Sequence, residues 1–106
     1  AEVENFVFKH LLENFNSNKI QFYRTSAGSE IDFIVDTDDG VDCIEVKYSG
    51  RINSRTKMPA NISRFVEDHK QFRFNRKILI TKEFLKIDEE NKEYFIPAAL
   101  FPLLKL

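Results

Sequence analysis

The sequence predicts an α/β fold. Three observations carry this: an apolar stripe at helical spacing near the start, three short alternating segments separated by turns, and a second amphipathic stretch followed by a run apolar on both faces. With 106 residues the chain is long enough for one domain. Apolar residues make up 42% and charged residues 31%, so a core can form and the composition is not that of a disordered chain. Eleven phenylalanines and no tryptophan point to a core built around Phe.

The first element is a helix over 2–15. Val3, Val7, Leu11 and Phe15 fall on one side at 100° per residue, and Phe6, Phe8 and Leu12 widen the stripe. Residues 16–18 end it. A strand is expected over 20–25, then a turn at 26–29. A second strand spans 30–36, with Ile31, Phe33 and Val35 on one face. Thr37-Asp38-Asp39-Gly40 is a turn, and 41–48 a third strand. The stretch 49–58 is a polar, basic loop. Pro59 and Asn61 open a second helix whose apolar side carries Ile62, Phe65, Val66, His69 and Phe72. Ile78-Leu79-Ile80 reads as a buried strand. A charged stretch with some helical character follows, then a short strand over 94–96 and an apolar closing segment over 97–104. Turns this short allow a meander of the first three strands, and the second helix supplies a crossover to a parallel fourth.

The net charge of −1 conceals an uneven distribution: −7 over residues 1–46, +8 over 47–86 and −2 over 87–106. A basic middle third suits a polyanion, and an acidic first third can hold a cation. Arg51, Arg55, Lys57 and Arg64, with Lys70, Arg73, Arg76 and Lys77, are candidates for phosphate contact, although a basic helix face is also often simply solvated. With the single Cys43 no intrachain disulfide can form, which favours a reducing, cytoplasmic setting. No apolar run approaches membrane length, and no leader is evident at the start.

Several charges sit where solvation does not explain them. Glu4 falls between Leu11 and Phe15 in the apolar stripe, whereas Glu2, Lys9 and Glu13 lie on the polar side. If Asp36 and Val41 flank the turn, opposed residues of the hairpin sum to 77. Asp32 then faces Glu45 and Glu30 faces Lys47, on the side of Ile34 and Cys43. Opposed like charges about 5 Å apart at Cβ are destabilising. They suit two carboxylates sharing one hard cation with Mg²⁺–oxygen bonds of about 2.0–2.1 Å. Two hydrated acids at strand ends are the plainer alternative. Lys47 lies on the same face as Glu45. It could steer a water or hold negative charge on a phosphate, or simply pair with Glu30. His10 and His69 stand without partners at metal spacing and read as core-edge residues. Tyr23 and Tyr48 read as partly buried strand tyrosines, and Cys43 as a small buried residue.

Asp32, then Glu45-Val46-Lys47 after a turn, with Glu4 on the preceding helix, resembles the signature of the PD-(D/E)XK nuclease-like superfamily, the restriction-endonuclease-like fold. Its core order is helix, three-strand meander, helix, strand. The blocks VENFVFKHLL, FYRTSAGSEIDFIV, IEVKYSG and YFIPAALFPL resemble, more narrowly, the C-terminal nuclease-like domain of unknown function of bacterial and archaeal AAA-type ATP-binding proteins. The resemblance implies that Asp32 and Glu45 bind Mg²⁺ or Mn²⁺, with the Val46 carbonyl as a further ligand. It also implies that Lys47 orients the nucleophile or stabilises the transition state, and that Glu4 joins the site directly or through water. Glu30 belongs to the narrower group's pattern. No Walker-A pattern occurs, and Gly28, Gly40 and Gly50 are scattered, so the ATPase implied as a partner would lie outside this chain. The expectation is thus a single nuclease-like domain over 1–106, the C-terminal part of a longer protein. It would act on DNA, or on RNA, with a homo-oligomer open and no membrane partner. The rival is a binding or regulatory module that keeps the fold without the chemistry.

Overall fold

A computed structural model describes residues 2–24 and 30–104, the side chains of Arg24 and Glu30 excepted. The chain runs α1 (Glu2–Asn14), β1 (Ile20–Arg24), β2 (Glu30–Thr37), β3 (Gly40–Lys47), α2 (Ala60–Asp68), β4 (Phe74–Thr81), β5 (Lys86–Asp88) and β6 (Glu93–Pro97), with short 3₁₀ helices at Ser17–Lys19 and Ala98–Leu103. Among the described residues the strands form one mixed sheet in the order β1-β2-β3-β4-β6-β5. β1, β2 and β3 are an antiparallel meander, β3, β4 and β6 run parallel, and β5 returns antiparallel on β6. The predicted α/β class and its order of elements are present.

Alternation along β4 splits the core into two layers. Ile78 and Ile80 pack with Val7, Leu11, Phe33, Val35, Ile44 and Phe101 beneath α1 and the closing 3₁₀ helix. Leu79, between them, joins Cys43, Ile62, Phe65 and Phe95 beneath α2. The carboxyl half of β4 is covered on both faces and has no polar side to present, so Ile78, Leu79 and Ile80 are 0–1% exposed.

Four details differ from expectation. In α1 the buried positions are Val7 and Leu11, while Glu4, Phe6 and Leu12 are exposed. The stripe that covers the sheet is narrower than the hydrophobic one, and Glu4 lies in the first turn, where a carboxylate also suits the helix dipole. In β2 the β1 partners sum to 55 at Ile20 and Gln21 but to 54 at Tyr23 and Arg24, so β2 carries an extra residue. This bulge turns Ile31 to the α2 face, away from Phe33 and Val35. α2 stops at Asp68: the His69 ring donates from Nδ1 to the Phe65 carbonyl at 2.9 Å, and Phe72 lies beyond the helix, 47% exposed. The charged stretch after β4 holds no helix; it forms β5, whose Lys86 and Ile87 pair with Phe95 and Tyr94. The turn at 26–29 lies outside the described residues.

The β2–β3 hairpin has the predicted register, from Phe33 opposite Ile44 to Thr37 opposite Gly40. Only Asp38 and Asp39 lie outside the ladder. Thr37 Oγ1 closes the turn, donating to the Gly40 carbonyl at 2.7 Å and accepting from the Asp39 N–H. Gly40 has φ +125°, and a Cβ there would stand 2.6 Å from the Arg73 carbonyl oxygen, so the position requires glycine.

Candidate active site

The parallel strands end together: Lys47, Thr81 and Pro97 are aligned at the carboxyl edge of β3, β4 and β6. In open α/β sheets this edge is where ligands are held. Because β2 is antiparallel to β3, its amino-terminal half, with Asp32, arrives at the same edge. The loop 48–59 leaves from there and returns to start α2.

Glu45 is 6% exposed, and its Oε1 accepts from Asn61 Nδ2 at 2.8 Å. Asn61 sits one helical turn before Phe65 on the side of α2 that meets the sheet, so the packing of α2 brings its amide over the carboxylate. Asp32, half-buried at the bulge of β2, accepts the Val46 N–H on Oδ2 at 2.7 Å. The β2–β3 ladder runs as far as the Phe33–Ile44 rung; beyond it the Asp32 side chain takes the place of a backbone acceptor. Lys47 is exposed at the end of β3 and Val46 turns its side chain to the α1 layer. Lys82 adds a second cation at this edge, its Nζ 6.0 Å from the Tyr48 ring.

The structure thus brings Asp32 and Glu45 to the same few residues of β3, beside Lys47. Glu4 does not complete a group with them: among the described residues no three His, Cys, Asp or Glu side chains come together as a set that could hold a metal ion. The side chain of Glu30, expected opposite Lys47, lies outside the described residues. As a donor set, two carboxylates with the Val46 carbonyl are hard oxygens suited to Mg²⁺, which is commonly held by one or two carboxylates with water and phosphate filling the other positions.

Arg51, Arg55, Lys57 and Arg64 are exposed on the loop and on α2. The loop is ordered by its own side chains, with Asn53 Oδ1 accepting the Arg55 N–H and Thr56 Oγ1 accepting the Asn53 N–H. Arg55 and Lys57 line a cavity of about 540 Å³ with Lys86 and Glu93. Lys86 carries no signal of this in the sequence, because it reaches the cavity only by the pairing of β5 with β6. Asn61 reads in the sequence only as a helix start; its signal is a polar residue on the apolar side of a helix.

Another acid escapes the sequence reading. Asp42 is fully buried in β3, and its Oδ1 accepts the Arg76 N–H at 2.9 Å where β4 bulges between the rungs Val41–Phe74 and Cys43–Lys77. Burial pushes its carboxyl up to about 6, against the opposing pull of the Arg76 N–H and charge. Cys43 beside it is pushed up to about 12, chiefly by burial and then by the Asp42 charge, so its thiol stays protonated.

The fold and site define a mixed α/β domain with a carboxylate–lysine edge at the ends of its parallel strands. The chain belongs to the family described as domain of unknown function (DUF4143), whose model matches residues 1–101. No curated protein and no solved structure matches it. No helix among the described residues is long and apolar enough to cross a membrane.

Proposed function

We propose that the domain is a metal-dependent phosphodiesterase of the PD-(D/E)XK type acting on DNA, or on RNA, and that it serves an AAA-type ATPase outside this chain. One observation carries the reading: Glu45 is a buried carboxylate held by Asn61, one residue from the N–H that fixes Asp32 and two from an exposed lysine. Buried and positioned charged groups gathered at the ligand-holding edge of a sheet are characteristic of functional sites.

Asp32, Glu45 and the Val46 carbonyl would hold Mg²⁺ or Mn²⁺. When bound, the ion supplies an activated water and neutralises charge on the phosphate. Asn61 keeps the Glu45 carboxylate turned to one position, and the Val46 N–H does the same for Asp32. Lys47 donates to a non-bridging phosphate oxygen or to the attacking water. Arg51, Arg55, Lys57 and Arg64 hold the strand by its phosphates.

The second reading, a binding or regulatory module, is favoured by the Asp32–Val46 hydrogen bond, which gives Asp32 a structural task of its own. Asp32→Asn separates the two, because its amide oxygen can still accept the Val46 N–H. As a nuclease, the wild type binds Mn²⁺ and nicks supercoiled, linear or branched DNA. Asp32→Asn then loses both with its thermal midpoint kept, and Lys47→Ala loses cleavage with Mn²⁺ binding kept. Mn²⁺ binding equal in wild type and Asp32→Asn, or none in either, would refute the metal site.

A further inference from the structure

A second cavity, of about 500 Å³, opens on the α2 side at the other end of β3. Its volume lies within the range of small-molecule sites. It is formed by β1, β2 and the carboxyl end of α2, and Val41 in its wall is four residues from Glu45, about 13 Å along the strand. The floor is aromatic. The Tyr23 and Phe65 rings are 4.4 Å apart at their centroids, Phe65 and His69 are 4.1 Å apart, and His69 and Phe72 are parallel within 2° at 5.7 Å. The His69 ring is fixed by its hydrogen bond to the Phe65 carbonyl, so in the neutral ring Nε2 is the acceptor. Phe72 is 47% exposed, a large apolar surface for the wall of an open cleft. The rim is polar: Lys19 and Arg73 supply two cations against the one carboxylate of Asp36, and Gln21 and Gln71 supply carboxamides that both donate and accept.

We infer that this cleft binds a nucleotide, its base on the aromatic floor and its phosphate at Arg73 and Lys19. A flat ring with hydrogen-bonding edges matches rings flanked by two carboxamides, and an anion attached to that ring matches the cations at the rim. A purely aliphatic ligand would use the floor but leave the rim unmatched; a free phosphate would use the rim but not the floor. The base can come from a free nucleotide or from one unit of a single strand. The site stands apart from Asp32 and Glu45 and does not depend on the nuclease reading.

The test titrates the full chain with AMP, GMP, UMP, adenosine, inorganic phosphate and oligo(dT), read by calorimetry and amide chemical shifts. At least one mononucleotide or oligo(dT) should bind, with shifts at Tyr23, His69 and Phe72. Phe72→Ala should weaken binding roughly 5- to 100-fold, the cost of one lost stacking contact. Its thermal midpoint and Mn²⁺ binding should be unchanged. Arg73→Ala keeps the backbone carbonyl that supports Val41 and should erase any preference for AMP over adenosine. Mononucleotide binding identifies a free nucleotide; binding of oligo(dT) without any mononucleotide identifies a base within a strand. The inference is overturned if none of the nucleotides or oligo(dT) binds. It is also overturned if binding survives Phe72→Ala intact, or if inorganic phosphate binds as well as AMP.

Discussion

Replacing Asp42 by Asn should make the protein more stable above pH 6 and should flatten its stability against pH. The carboxyl is fully buried and its Oδ1 fills the place of a ladder acceptor at the β4 bulge, a task the Asn amide oxygen can keep. Its pKa rises from 3.8 to about 6 on folding. The folded state therefore binds the proton more tightly than the unfolded chain, so stability falls as pH rises from about 4 to about 6 and is level above that. A rise of this size corresponds to about 3 kcal/mol lost from the wild type at pH 8 relative to the fully protonated state, and to well under 1 kcal/mol at pH 4. Asp42→Asn has no proton to lose and so lacks this dependence. Urea melts of both proteins at pH 4, 5, 6, 7 and 8 should show the difference between them growing in favour of the substituted protein by about 2–3 kcal/mol across the series. For a domain this size that is on the order of 10 °C in thermal midpoint. A difference that stays constant with pH, or moves in favour of the wild type as pH rises, would refute the argument: the charge would then be stabilised in the folded state.

Gly40→Ala should destabilise the domain by roughly 2 kcal/mol or more, read by urea titration, because the new Cβ meets the Arg73 carbonyl at 2.6 Å in a left-handed backbone. Ile78→Ala, at the centre of the α1 layer, should cost about 2–5 kcal/mol by the same assay, and a smaller loss would mean that the site collapses on the deletion. The Cys43 thiol should resist a disulfide reagent at pH 8 in the native protein and react once urea unfolds it, since burial keeps it protonated; fast native labelling would contradict its burial.

Much of the fold is legible in the residues. The hairpin register follows from Thr37-Asp38-Asp39-Gly40, because a two-residue turn with glycine at φ +125° leaves little choice of pairing. Ile78-Leu79-Ile80 declares a strand covered on both sides, as alternation delivers one residue to each layer in turn. Asp32, Glu45 and Lys47 emerge from the same register argument, since a pleated strand fixes which residues share a face. Glu4 looks buried on a helical wheel and is exposed in the fold, because a wheel gives angle but not depth: how far along α1 the sheet reaches is set by packing.

The sequence by itself determined the local periods, the hairpin and the row of charges at the end of β3, all consequences of backbone geometry over a few residues. Tertiary structure decided what depends on distant partners. It brought Asn61 over Glu45 by docking α2, and Lys86 beside Lys57 by adding β5 to the edge. It placed two aspartates at two bulges, Asp32 on the Val46 N–H and Asp42 on the Arg76 N–H. A bulge arises where neighbouring strands disagree by one residue, and that disagreement belongs to the pair of strands rather than to either alone. The carboxylates that answer the stranded N–H groups become visible only once the strands are side by side.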